Sequence, residues 1–215
     1  MAVYSFTNDK LCFIAKRISH RLQNIISETL NVPVFKTHLS NSRIIGILMT
    51  GNSKGILLPK IVEGKELSNF KQIIIELDLD IQLEIIPSDL TALGNNILIN
   101  DRAAIINPDY NKNIIQIIKD TCLVDDVIQG TVAGSKLVGS NALLTNKGLL
   151  VNPNSSIDEL NFLEEFFKIN CDIGSVNQGV DMVGSSGIIA NSYGAIIGRK
   201  TTGPELQRIS TVLDV

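Results

Sequence analysis

Residues 139–153, Gly-Ser-Asn-Ala-Leu-Leu-Thr-Asn-Lys-Gly-Leu-Leu-Val-Asn-Pro, read as two short strands around a tight Asn-Lys-Gly turn, with a breaker at the end. The same unit recurs at 46–59, 94–108 and 184–198. The residues that close the turns, Lys10, Gly55, Ala103, Gly148 and Gly194, are 45, 48, 45 and 46 apart. The first core-facing residues of the segments that follow, Leu22, Leu67, Ile115, Leu160 and Leu206, repeat the same four spacings. Two anchors that keep one offset through five copies signal a repeat architecture.

The segments after the turns are amphipathic helices. Leu67, Phe70, Ile73 and Ile74 form one apolar stripe. Leu160, Leu163, Phe166 and Phe167 repeat it, as do Leu206, Ile209, Val212 and Leu213. The third copy weakens to Ile115, Ile118, Thr121 and Cys122, and the first keeps Leu22 and Ile25 but has Glu28 at the third step. Ser156 with Glu159, and Thr202 with Glu205, have capping-box spacing. Pro204 sits early in its helix, where no backbone donor is needed. A short strand candidate follows each of the first four helices, at 33–38, 81–86, 126–131 and 170–175.

The unit is therefore strand, strand, helix, strand, with copies at about 1–38, 39–86, 87–131, 132–175 and 176–215. One unit buries too little apolar surface to offset the ordering of its backbone, so the copies must pack on one another in a single domain, 1–215. A linear stack would show polar end caps, but the fifth copy is as apolar as the fourth. The expected fold is α/β: a closed pseudo-fivefold α/β propeller with strands near the centre and helices outside. The glycine that opens hairpins two to four has Met1 as its counterpart in the first copy, and Val215 follows the last helix directly. Five hairpins and five helices thus share four linking strands. The expectation is a blade short by one strand, a misplaced start or a shortened chain.

Composition narrows the function classes. Of 215 residues, 44% are hydrophobic and 5% aromatic, with no Trp, so Ile, Leu and Val must build the core. A net charge of -3 disfavours a protein that grips bare nucleic acid through phosphates, and DNA is not an expected partner. Cys12, Cys122 and Cys171 are far apart and odd in number, with neither metal nor disulfide spacing. No apolar run reaches membrane-spanning length and no signal peptide is evident. A cytoplasmic, soluble monomer without cofactor or metal is expected. Gly46, Gly94, Gly139 and Gly184 are placed at strand starts, in a backbone role, and no phosphate-binding glycine loop occurs.

Arg43-Ile-Ile-Gly, Gly55-Ile-Leu-Leu-Pro, Thr91-Ala-Leu-Gly-Asn and Gly174-Ser-Val-Asn-Gln-Gly together resemble the translation initiation factor 6 family. Val138-Gly-Ser with Thr145-Asn-Lys-Gly, and Thr201-Thr-Gly-Pro-Glu-Leu, extend the match over nearly the whole chain. Without a long C-terminal tail, the chain is more similar to archaeal members. The resemblance implies a closed pseudo-fivefold α/β propeller, of the pentein type. It also implies a factor that binds the large ribosomal subunit at its intersubunit face and blocks small-subunit joining by sterics. The contact would involve a ribosomal protein near the sarcin–ricin loop of the rRNA. A short upstream strand in the family would supply the fifth linking strand.

The linking loops at 39–43, 87–93, 132–137 and 176–182 recur at one end and suit a large, flat partner. Asn95 matches a family position at the ribosomal-protein contact, against a plain reading as a turn-fixing amide. Arg43 offers bidentate contacts to carboxylate or phosphate, against an internal ion pair. Ser140 and Ser185 occupy the step equivalent to Asn95, with strand filler as the competing reading. Lys136 is placed to reach rRNA phosphate or to stay a solvated charge.

Two alternatives stand beside this. Guanidine-modifying enzymes share the propeller fold and need a Cys nucleophile, a His and acids. The chain has only His20 and His38, Cys122 lies on a helix stripe, and Cys171 is not near a C-terminal loop. The other alternative is a generic ring-shaped protein-binding scaffold.

Overall fold

The computed structural model describes residues 2–185 and 187–215; Met1 and Ser186, within the fifth hairpin segment, lie outside them. The first unit runs β1 (Ser5–Thr7), β2 (Cys12–Ala15), α1 (His20–Leu30) and β3 (Val34–Thr37). The second opens with a one-turn helix, α2 (Ile45–Leu48), then β4 (Thr50–Gly51), β5 (Gly55–Pro59), α3 (Gly64–Glu76) and β6 (Gln82–Ile86). The third repeats this as α4 (Leu93–Asn96), β7 (Ile97–Ile99), β8 (Ala103–Ile106), α5 (Asn113–Cys122) and β9 (Asp126–Gln129). The fourth follows as α6 (Val138–Asn141), β10 (Ala142–Leu144), β11 (Gly148–Val151), α7 (Ile157–Phe167) and β12 (Asn170–Ile173). The fifth has β13 (Ile188–Ala190), β14 (Ala195–Ile197) and α8 (Gly203–Leu213).

Among the described residues, each of the first four units forms a three-stranded sheet, and the fifth a two-stranded one. The second hairpin strand is central, antiparallel to the first and parallel to the linking strand, as where Ile56 faces both Gly51 and Leu83. A parallel neighbour needs a crossover, and the helix supplies it. The expected caps are present: the Ser156 side chain accepts from Glu159 N, and Thr202 and Glu205 form a reciprocal capping box. No helix of the described residues is long and apolar enough to cross a membrane.

The turns share one device. The Asn52 Oδ1 accepts from Lys54 N and Gly55 N, and Asn100 Oδ1 accepts from Arg102 N and Ala103 N in the same way. Asn8 does this with Lys10 and Leu11, Asn191 with Tyr193 and Gly194, and Thr145 Oγ1 with Lys147 and Gly148. Leu11, not Lys10, is therefore the first turn anchor. The helix register shifts with it: Ile26 is buried while Ile25 is 43% exposed, so Gln23 takes the place read for Leu22. The first spacing becomes 44 for both anchors, which is why their offset survived the error.

The hairpin glycines do not start strands. Gly46, Gly94 and Gly139 sit inside α2, α4 and α6. The reason is close approach between units. A Cβ on Gly94 would lie 2.0 Å from Gly46 O, one on Gly139 2.2 Å from Gly94 O, and one on Gly184 2.0 Å from Gly139 O. One on Gly46 would lie 2.0 Å from Ala2 O, so Ala2 rather than Met1 is the counterpart in the first unit.

Amide side chains tie neighbouring units. Asn8 Nδ2 donates to Asn52 O at 2.8 Å, Asn52 Nδ2 to Asn100 O at 3.0 Å, and Asn100 Nδ2 to Thr145 O at 3.4 Å. The fifth unit reaches the first: Asn191 Nδ2 donates to Asn8 O at 3.2 Å and to Leu30 O at 2.8 Å. Ser192 N and Oγ both donate to the Asp9 carboxylate. One apolar cluster joins Ile189 and Ile196 of the fifth sheet to Cys12, Ile14, Ile26 and Leu30 of the first unit. A cavity of about 130 Å³ is lined by Ala2, Gly46, Gly94, Gly139 and Gly184 and their neighbours, so equivalent positions of all five units meet around it.

Candidate partner-binding face

The C-terminal ends of the central and linking strands share one end of the molecule with the N-termini of the five long helices. The linking loops cross this end. Three close in the same way, through short bridges between Leu39 and Ser42, Val132 and Ser135, and Val176 and Val180. Their tips take left-handed backbone: Ser40 and Asn41, Ala133 and Gly134, and Asn177 to Gly179.

A glutamate from the following helix holds each tip. Glu66 accepts from Ser40 N at 2.8 Å and Asn41 N at 3.1 Å. Glu159 accepts from Ala133 N at 2.9 Å, and Glu205 from Gly179 N at 2.9 Å and Gln178 N at 3.2 Å. Glu66 and Glu205 also cap their own helices through Glu63 N and Thr202 N. Burial raises the Glu205 carboxyl, but hydrogen bonds from Thr202 N, Gly179 N and the Ser175 and Thr202 hydroxyls outweigh it and hold the group at about 2. The third loop lacks this latch, since α5 carries Ile114 at that step; there the Tyr110 hydroxyl donates to Leu90 O at 3.1 Å. Beside it, the carboxyl of Asp89, paired with Lys60, is held below the usual carboxylate range by that hydrogen bond and charge.

The candidate residues fare differently on this end. Arg43 is exposed and has no ion pair among the described residues, against the internal-pair reading. Asn95 is half-buried in α4; its N donates to Ala92 O at 3.1 Å, and its amide side chain has no hydrogen-bond partner among the described residues. Lys136 is committed to a surface pair, its Nζ 2.8 and 2.9 Å from the two carboxylate oxygens of Asp109. Ser140 is a correction: it is 1% exposed within α6, and its carbonyl accepts from Gly184 N at 3.1 Å, so a partner cannot reach it. Ser185 is half-buried in a turn, its N donating to Met182 O at 3.2 Å.

Sequence reasoning missed the apolar part of this end. Leu137, Val180 and Met182 are exposed by 39, 39 and 37% on two neighbouring linking loops. Their signal was available, since a polar loop has no local reason to carry them. The glutamate latches were legible only as helix caps.

The three thiols lack the setting of a nucleophile. Burial pushes Cys12 and Cys122 up to about 12, and Cys171 also reaches about 12 through burial and the charges of Glu164, Asp172 and Glu159. Among the described residues no three His, Cys, Asp or Glu side chains converge as metal ligands do.

Residues 1–212 match the model of the eIF-6 family. The translation initiation factor 6 of Thermococcus kodakarensis is 39% identical over 213 residues, 99% of this chain and 93% of the relative. The protein of the same name from Methanocaldococcus jannaschii is 41% identical over 99% of this chain and 92% of its own length. That of Saccharolobus solfataricus is 38% identical, with 99 and 93% covered. Among solved structures, an amidinotransferase of Microseira wollei from a saxitoxin biosynthetic pathway superposes with a TM-score of 0.51 at 10% identity. The match covers 89% of this chain and 65% of that one, and at such identity it speaks to the fold alone.

Proposed function

The chain belongs to the eIF-6 family, and from that premise we propose that it binds the large ribosomal subunit at its intersubunit face and blocks small-subunit joining. It is a translation initiation factor, not an enzyme. In this reading residues 1–215 form one domain, a closed pseudo-fivefold α/β propeller that acts as a cytoplasmic monomer. The contacts of the fifth unit with the first support closure. Partners are a ribosomal protein of the intersubunit face and nearby rRNA at the sarcin–ricin loop.

The observation that carries the reading is the latched set of linking loops. Glutamates fix three of them, so little backbone freedom is lost on docking. Arg43, Asn95, Leu137, Val180 and Met182 offer charge, amide and apolar contact at one end. A body of 215 residues seated there excludes the other subunit by bulk alone. Ser185 and Lys136 stay in the proposed contact set, the latter once it leaves Asp109; Ser140 does not.

Cosedimentation with purified large subunits tests this. Arg43→Glu and Asn95→Asp should each weaken binding by roughly tenfold, the scale of an interface anchor. Far-UV circular dichroism and Tm should stay unchanged, because neither side chain has an internal partner among the described residues. Undiminished pelleting of both variants would remove these residues from the interface.

A further inference from the structure

Positive charge is concentrated in the first unit. Residues 1–43 hold six Lys and Arg against two Asp and Glu, while the whole chain has 19 against 22. Three lysines meet where this unit packs on the second. The parallel pairing of β2 with β3 sets Ala15 opposite Thr37, and Lys16 N donates to Thr37 O at 3.2 Å. Lys16, just past β2, and Lys36, in β3, thus lie on adjacent strands, and the first turn of α3 adds Lys65. All three line one open cavity of about 320 Å³, together with His38 and Asn69.

Two carboxylates also line this cavity, and both are engaged within the chain. Glu66 is buried, accepts from Ser40 N, Asn41 N and Glu63 N, and lies 3.5 Å from His38 Nε2. Glu63 is the other half of the reciprocal capping box with Glu66. None of the three lysines has an ion pair among the described residues. The cavity therefore carries positive charge that the chain itself does not neutralise.

The repeat supplies an internal control. The positions of Lys16, Lys36 and Lys65 are Lys60, Ile85 and Asn113 at the next junction. They are Pro108, Gln129 and Asp158 at the third, and Pro153, Ile173 and Pro204 at the fourth. Lys60 is the one cation among these, and it is paired with Asp89. Equivalent junctions fold without the lysines, so the fold does not explain their cluster.

We propose that the pocket of Lys16, Lys36 and Lys65 binds a phosphate group. Ammonium groups are compact point charges that match a multiply ionised oxyanion from several sides. The Asn69 amide can donate to a further oxygen. A cavity of this size is at the small end for a ligand pocket, which favours one or two phosphoryl groups over a larger molecule. The group belongs either to a small phosphorylated molecule or to an RNA backbone. The proposal does not rest on ribosome binding.

Pyrophosphate is titrated into the full chain at constant ionic strength, and ¹H–¹⁵N spectra are followed. The Lys16, Thr37 and Lys65 amides should shift together and saturate, with a Kd below ~1 mM. Lys36→Gln and Lys65→Gln should each weaken binding by about fivefold, and the triple variant with Lys16→Gln should abolish it. Lys60→Gln, at the equivalent place in the next junction, should leave it unchanged. The same spectra show whether each variant is folded. A second arm adds a uridine octanucleotide with a free 5′-hydroxyl. Displacement of pyrophosphate assigns the pocket to an RNA backbone, and no displacement assigns it to a small phosphorylated molecule. Three outcomes overturn the proposal. One is no saturable shift below ~1 mM pyrophosphate. Another is an affinity that the triple variant leaves unchanged. The third is a loss in Lys60→Gln equal to that in Lys36→Gln, which marks diffuse surface charge. Cosedimentation with large subunits is a separate readout, so either reading can fail while the other stands.

Discussion

A single glycine shows how tightly the units meet. A Cβ at position 139 would enter backbone, 2.2 Å from Gly94 O and 2.8 Å from Ile97 O, and neither carbonyl can swing away. Gly139→Ala should cost about 3 kcal/mol, the upper end of overpacking, as read by urea denaturation. Gly134→Ala is the contrast: it meets nothing within 4 Å and carries only a φ of 70°, so about 1 kcal/mol is expected. Glu205 makes the pH prediction. Its folded carboxyl sits at about 2, below the ordinary 4.5, so its contribution is present above pH 4.5 and lost as pH falls toward 2. Glu205→Gln should therefore lower Tm at pH 7, with the gap to the parent closing between pH 4.5 and 2. A gap that stays constant over that range would show that the latch does not depend on charge.

At the scale of elements, the hairpin turn is the recurring joint. Asn52 accepts from two backbone N–H groups of its own turn and donates to Asn100 O and Cys122 O in the next unit. Asn52→Ala leaves buried groups unpaired on both sides and should destabilise by about 3 kcal/mol. Chemical denaturation checks this, and a loss under about 1 kcal/mol would mean that water replaces the amide. The turns, helix stripes and linking strands were legible because each has its own period or breaker. The one-turn helices α2, α4 and α6 were not, since four residues carry no periodicity. The first unit was read one residue off because Glu28 and Thr29 gave the stripe no apolar third step to correct it.

For the molecule as a whole, the repeat announced five units, and the structure brings the last against the first through Asn191, Ser192 and Ile189. The candidate site was less legible. Arg43 and Asn95 were visible as residue types on loops, and they stand available. Ser140 looked equivalent to Asn95 by repeat position, yet neighbouring units bury it; burial is a property of assembly that no single repeat encodes. Leu137, Val180 and Met182 escaped notice because an apolar residue in a sequence is read as core by default. The subunit-joining assay tests the central claim most directly. Purified large and small subunits are mixed with increasing amounts of this chain and resolved on a sucrose gradient. The joined-ribosome peak should fall as the chain is added, with the chain migrating only with free large subunits. An undiminished joined peak, or a chain that travels with small subunits or with neither, would contradict the account.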